Sequence, residues 1–533
     1  MRKTSQVWLP ILLVCFATTI ASAQSFRVQC PTSTITHPTA PDTEPPYVGP
    51  TYNGTSGYPS PPAHVNGAIK CQQISGGDGY ATMGDGTQTY MFSFGPLSGI
   101  VDIANGLPGT EVPSVFNNPY AGPALQPGDP ATTGIPAFTY NGAIGQVVDA
   151  DCVAGNAAAA AAGTALPCPN LPASGIDGHV DTRQIMDVGV MNGNIPAPLM
   201  AIDEDDEFFL TLTNVGMIMR PDLFEQHTVH FHGYPNASSF YDGVPDASVA
   251  INIGASFTYY YLAPDAGTYF WHCHITPPEH LQMGMVGQIY VRPRQNRVSS
   301  TTALYTALQA QQGDLRTACN PAADILCTNP LPAVNTGAMG GGKYAYNDGD
   351  GSTVYDVEYP IQIHGFDPNF HFVGMTFNPE GFTDMKDKYF LLNGRSYPDT
   401  VTTGPLQTSS ADGVGHFSQP LSAIVTIKAG QRALLRISDL DVTEYQTLAS
   451  LGIPMKVIGY NAKLLRDQAG NNLYYTTNSI TLAGGESLDV ILDASDTTTY
   501  KAGQVYYLYT PNLDHLSNDA ENFGGLMTEV HIN

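Results

Sequence analysis

Short runs of β-branched and aromatic residues recur along this chain between clusters of Gly, Pro, Asn and Asp, and few windows carry the spacing of an amphipathic helix. Phe208 to Thr213, Ser256 to Tyr261, Gln288 to Val291, Ala433 to Ile437 and Val505 to Tyr509 each read as a strand. Strands at this spacing predict β-sandwiches. Only Thr302 to Gln312 predicts a short helix. Residues 37–66 are proline-rich and read as an irregular arm. Residues 153–176, with alanines at 157–162, read as a long surface insertion, and 328–353 as part of an interdomain linker. The expected organisation is all-β: an N-terminal arm at 24–79, one domain at 80–295 with a long insertion around 105–180, a linker at 296–353 and a second domain at 354–533.

At 533 residues the chain is long enough for more than one domain. Met1, Arg2 and Lys3, the apolar run Val7 to Ile20 and the small residues Ala21, Ser22 and Ala23 predict a cleaved secretory signal over 1–23. No later run approaches the ~18 apolar residues of a membrane span. The expected location is therefore periplasmic or extracellular, where disulfides can form. Cys15 leaves with the signal. Sequence neighbours suggest Cys30 with Cys71, Cys152 with Cys168 and Cys319 with Cys327, and spacing alone leaves other pairings of these six open. Cys273 is left over.

Charge narrows the partners. With 21 Lys and Arg against 47 Asp and Glu, the net charge is −26. Such a surface first confers solubility. It also repels nucleic acid and anionic membranes and mildly favours cationic partners, including metal ions or a basic redox protein.

The chemistry concentrates in two stretches, EQHTVHFHG at 225–233 and GTYFWHCHITPPEHLQMGM at 267–285. Side chains alternate faces along a strand, so His272 and His274 point one way and Cys273 the other. In the first stretch His230 and His232 share a face, and His227, at odd offset, points oppositely. If the two strands pair, His227 meets Cys273 on one side while His230, His232, His272 and His274 gather on the other. The loop that follows returns His280 and Met285. Two imidazoles, a thiolate and a thioether form a trigonal type 1 copper site with a weak axial methionine, whereas zinc more often has a closed tetrahedral shell without methionine. Met283 is a weaker axial candidate and a good gap filler. Glu279 and Asp242 are candidate carboxylates beside the ligands, although Asp242-Gly243 is also an ordinary turn sequence. Trp271 reads as core.

The pair HTVHFHG and GTYFWHCHITPPEHLQMGM resembles the ligand motifs of multicopper oxidases, H-x-x-H-x-H-G followed by H-C-H-x-x-x-H-x-x-x-x-M. The segments DKYFLLNGRSYPDT and TLAGGESLDVILDAS resemble a second domain of that family, so the resemblance spans most of 180–533. It implies two cupredoxin-like Greek-key β-sandwich domains with long N-terminal and inserted loops. It places type 1 copper on His227, Cys273, His280 and Met285. His230, His232, His272 and His274 would face a second copper centre, with Cys273 and its two flanking histidines as the catalytic wire. Two features depart from the pattern. Five residues, Ile275 to Glu279, stand where the family has three. The family also contributes four H-x-H pairs to its trinuclear cluster, and this chain has two. The second domain offers only the isolated His364, His371, His416, His515 and His531, each read as structural, with His515 the best exception.

The resemblance therefore implies an exported copper oxidoreductase. It passes electrons from a small reductant, a metal ion or a redox protein through type 1 copper to a second centre that reduces oxygen. A homotrimer or a partner chain would complete that centre. Two alternatives follow from the missing pairs: a non-enzymatic blue-copper electron carrier or copper-binding protein, or a nitrite-reductase-like trimer.

Overall fold

The structure is a computed structural model, and it describes residues 29–52, 64–117, 150–167, 169, 193–217, 220, 225–234, 238–263, 265–314, 319–320, 322–323, 327–373, 381–409 and 415–533. All five runs read as strands are strands. The first sandwich pairs the sheet β2-β1-β4-β6 with the sheet β3-β8-β7-β5. Its strands are β1 (Ile69–Thr82), β2 (Gln88–Pro96), β3 (Met200–Asp203), β4 (Glu207–Gly216), β5 (His230–Phe231), β6 (Ser256–Leu262), β7 (Gly267–His272) and β8 (Val286–Arg292). Phe208, Leu210 and Leu212 from β4 meet Tyr269 and Trp271 from β7 in one buried core. Full burial of each such side chain contributes about 1.5–3 kcal/mol.

The other face of β4 is covered as well, which is why FFLTL reads as a continuous rather than an alternating apolar run. Phe209 packs there with Cys30, Cys71, Leu97 and Phe116. The Cys30–Cys71 disulfide forms, and His37 Nδ1 lies 2.7 Å from the buried Glu207 carboxylate, so the irregular arm is tied to the sheet. Strand β1 starts at Ile69, inside the segment expected to be arm. Its sequence, IKCQQISGGDGYAT, is too rich in Gly and polar residues to show alternation; it is held by parallel pairing with β4.

The second sandwich has a seven-stranded sheet built on Val357–Phe366, Arg432–Asp439 and Ser487–Asp493, and a five-stranded sheet built on Gln446–Leu451, Val505–Tyr509 and Met527–Ile532. Its core includes Ile363, Leu435, Ile437, Val490, Leu492 and Val530. The seven-stranded sheet lies against the outer face of β7 and β8. Thr268 Oγ1 donates to Asp489 Oδ1 at 2.6 Å, and Gln288 Nε2 donates to Ser438 Oγ at 2.8 Å. Gly267, at φ +147°, lets β7 approach Ala462 closely; a Cβ there would stand 2.5 Å from the Ala462 Cβ.

One expectation changes. A helix spans Leu304–Gln311 as predicted, but Ala150–Ala162 is a longer one, because alanine is the strongest helix former. The segment expected as a linker is packed: Asp348 is buried, and its carboxylate accepts from Gln295 Nε2 at 2.7 Å and from the amide of Thr353 at 2.8 Å. The Cys319–Cys327 disulfide forms. The expected Cys152–Cys168 bridge lies outside the described residues. Among the described residues no helix is long and apolar enough to cross a membrane.

Candidate metal centres

Antiparallel pairing of β5 with β7 sets the site. His230 pairs with His272 and Phe231 with Trp271, and directly opposed residues share a face. Phe231 and Trp271 therefore enter the core, and both histidines face outward. Cys273, one residue beyond β7, returns to the core face. Its amide donates to Met285 O at 3.0 Å, which closes the loop that carries His280.

On the core side His227, Cys273 and His280 are buried, with one ligand atom each inside a 4.8 Å group. His280 Nδ1 stands 3.3 Å from Cys273 Sγ, and the Thr228 amide points at the same sulfur from 3.5 Å. Thr228 Oγ1 accepts from the amide of His274 at 2.9 Å and fixes the chain just past the cysteine. Neither ring nitrogen of His227 has a hydrogen-bond partner, although the side chain is fully buried. Such an orphaned imidazole is costly unless something else binds it.

Burial is the first cause of every shift here. It pushes His227 well below the ordinary imidazole range, with His280 adding to the effect, and lowers His280 to about 3. It raises the Cys273 thiol to about 11, against the opposing backbone groups of Ile275 and Thr228. The imidazoles are thus held neutral, which is the ligating form, and a bound metal must displace the thiol proton. Soft sulfur with two imidazoles in an apolar shell fits copper. Met285 is buried in the same core as Cys273, and its amide donates to His280 O at 2.9 Å. Met283 packs in that core too.

On the outer face His230, His232 and His272 form a second ligand-competent trio. His274 joins them through its ring, 5.1 Å from that of His230 and 5.6 Å from that of His272. Each member of the trio has a backbone partner. His230 Nδ1 lies 2.6 Å from Asp242 O, and His272 Nδ1 lies 2.6 Å from Cys273 O. His232 bonds the Gly485 backbone of the second sandwich. Carbonyl partners place the ring proton on Nδ1 and leave Nε2 as the free donor. The Nε2 atoms of His232 and His272 then face each other at 3.0 Å, a contact that one shared proton, or a metal ion beside both nitrogens, satisfies. Burial, then His230, lowers His232 to about 4; burial, then His232, holds His272 well below its usual range.

All eight residues predicted from sequence lie on these two faces. Asp242 takes part through its main-chain carbonyl, and its carboxylate stands 3.5 Å from His230 Nδ1. Burial, then the charge of Glu225, raises Glu279. Trp271 is core, stacked on Phe94 at 5.4 Å. The isolated histidines of the second sandwich form no ligand trio among the described residues. His364 Nε2 bonds Leu281 O, His371 Nε2 bonds Gln282 Oε1, His515 stacks on Phe390 and His531 meets Glu529. The His416 side chain lies outside the described residues.

Three residues escaped the sequence reading. Glu225 Oε2 lies 3.9 Å from His280 Nε2, on the side of the ring away from Cys273. Gly485, at φ +90°, brings its backbone onto His232, where a Cβ would stand 2.7 Å from Nδ1. Gln282 is anchored to the second sandwich. None has a motif, because each acts across a tertiary contact.

Comparison with known proteins points to the same segment. Residues 177–296, which contain both ligand faces, match the multicopper oxidase domain. The laccase abr2 of Aspergillus fumigatus is 34% identical over 111 residues, 20% of this chain and 17% of that protein. A copper-containing nitrite reductase of Rhizobium meliloti is 35% identical over 109 residues, 20% of this chain and 26% of that protein. These matches span about a quarter or less of each relative. Among solved structures, the blue copper oxidase from Nitrosomonas europaea aligns with 64% of this chain and 78% of its own, at 21% identity and a TM-score of 0.41. Copper is the metal of the multicopper oxidases, the family whose domain is matched by residues 177–296 of this chain.

Proposed function

We propose that this protein is an exported copper oxidoreductase that takes electrons from a reductant at one centre and delivers them to oxygen at another. One observation carries the reading: a single strand end sends Cys273 into the core beside His227 and His280, and His272 to the opposite face beside His230 and His232.

Type 1 copper would be held by His227, Cys273, His280 and Met285, and the second centre by His230, His232, His272 and His274. Bound there, copper supplies one-electron transfer at the first centre and oxygen reduction at the second. The chain's own part is positional. Cys273 and its flanking histidines place the two donor sets one residue apart, which gives electrons a short covalent path. His280 turns Nδ1 to the sulfur and Nε2 toward Glu225, so its outer edge is the entry point for the reductant, which Glu225 would orient. The apolar core of Phe94, Tyr259 and Trp271 excludes water from the sulfur. Asp242 O, Cys273 O and Gly485 hold the outer imidazoles in one tautomer.

Reductant classes consistent with an entry point beside Glu225 are a phenol, an oxidisable metal ion or a basic redox protein. Export is supported by the N-terminal apolar run and by the two disulfides among the described residues. The second sandwich contributes no histidine to either trio among the described residues, so a second copy or partner chain would complete the outer centre. The same observation favours a second reading, a blue-copper electron carrier without turnover.

The deciding experiment is copper analysis of the purified protein with visible absorption and oxygen uptake. An intense thiolate–copper band with copper beyond one equivalent and uptake with a reductant supports the oxidase. A blue protein with one copper and no uptake is the carrier, and a colourless copper-loaded protein refutes both.

A further inference from the structure

The loop that carries His280 is two residues longer than the family pattern and forms a short helix, Pro277–Gln282, entered through Thr276 at φ +38°. A six-residue helix is not stable by itself, and a left-handed threonine is strained. Something outside the loop must hold it. Gln282 is fully buried, and all three of its side-chain partners come from the second sandwich. Its Oε1 accepts from the Asp367 amide at 3.1 Å and lies 3.0 Å from His371 Nε2, and its Nε2 donates to Asp387 Oδ1. The preceding carbonyl, Leu281 O, accepts from the Gly284 amide at 3.0 Å and keeps a second lone pair. It is met by His364 Nε2 at 2.8 Å.

We propose that Gln282 is a positioning residue for the type 1 site: it locks the helix bearing His280 to the second sandwich and so fixes the imidazole against Cys273. The partners are themselves braced. His371 is stacked on Phe366 at 5.3 Å, and Asp387 bonds Thr443, whose hydroxyl lies 3.0 Å from Asp441 Oδ1. Asp441 in turn accepts from Gln446 Nε2 at 2.7 Å. The clamp is therefore rigid on the far side, and a movement of the second sandwich is felt at the copper loop. Two of the histidines read as isolated in the sequence share this role: His364 and His371 hold the loop of the site.

The inference rests on the copper reading above, and its test separates the two. The full-length chain is loaded with copper as wild type, Gln282→Leu and His371→Phe, and the visible band, the EPR hyperfine splitting and copper retention under a chelator are measured. Gln282→Leu keeps the volume and removes three hydrogen bonds. It should shift the thiolate–copper band and hyperfine splitting and weaken retention of type 1 copper about 10-fold or more, the scale seen when an outer partner of a ligand is lost. His371→Phe should move the same signals in the same direction to a smaller extent. A folded Gln282→Leu with wild-type band, hyperfine splitting and retention overturns the proposal. Should that variant not fold, His371→Phe decides by the same readouts. A wild-type protein with no such band refutes the copper reading itself.

Discussion

His280 Nδ1 lies 3.3 Å from Cys273 Sγ, although seven positions separate them in sequence. The contact is made by a loop that leaves the core face of β7 and returns to it. Replacing Cys273 by Ser should abolish the blue colour and leave a folded protein, because the sandwich core is complete without the sulfur. The buried hydroxyl would cost about 1–3 kcal/mol. Circular dichroism and visible absorption of the copper-loaded variant check this; a Cys273→Ser protein that stays blue refutes the ligand assignment.

On the outer face, His272→Ala should separate the two centres. The thiolate–copper band should persist, since Cys273 points away from His272, and oxygen uptake should fall to background. Uptake at the wild-type rate would remove His272 from the second centre.

Gly485→Ala tests the contribution of the second sandwich to that same centre. The added Cβ stands 2.7 Å from His232 Nδ1. It should displace the ring and weaken second-centre copper on the order of 10–100-fold while the blue band is unchanged. Equal copper content by metal analysis under limiting copper would contradict it.

Between the sandwiches, Glu358 accepts from Arg292 at 2.8 Å and from Arg436 at 2.9 Å. Burial alone would raise this carboxyl, but the Arg436 and Arg292 guanidiniums outweigh it and hold Glu358 at about 2. Its folded pKa lies below the unfolded one, near 4.5. The stabilisation is thus present above about pH 4.5 and is lost as pH falls toward 2, on the order of 3 kcal/mol. Thermal unfolding of the metal-free protein should show a falling midpoint across that window. Glu358→Gln should flatten it, and an unchanged slope in that variant would show that other carboxylates carry the effect.

Much of the site was legible because it depends on short-range periodicity. Alternation along His272, Cys273 and His274 assigns faces without knowledge of the fold, and the His227, His230 and His232 offsets repeat the argument on β5 and the residues before it. The strands at 208–213 and 433–437 are legible instead as short apolar runs of strand length. Strand β1 was not, because Gly76, Gly77 and Gly79 remove the alternation and its place is set by β4. The helix at Ala150–Ala162 carries no strong apolar periodicity, and only the helix propensity of its alanines marks it.

The sequence by itself determined which atoms are available as ligands and on which side of a strand each lies, because side-chain parity is fixed by the backbone within a few residues. Only the tertiary structure decided what holds those atoms in place. Gln282 meets Asp367, His371 and Asp387, and Gly485 meets His232, across contacts between residues far apart in the chain, and no local periodicity encodes such distances. The same packing made His364 and His371 supports of the copper loop rather than ligands, since their bonded nitrogens are taken up by Leu281 and Gln282.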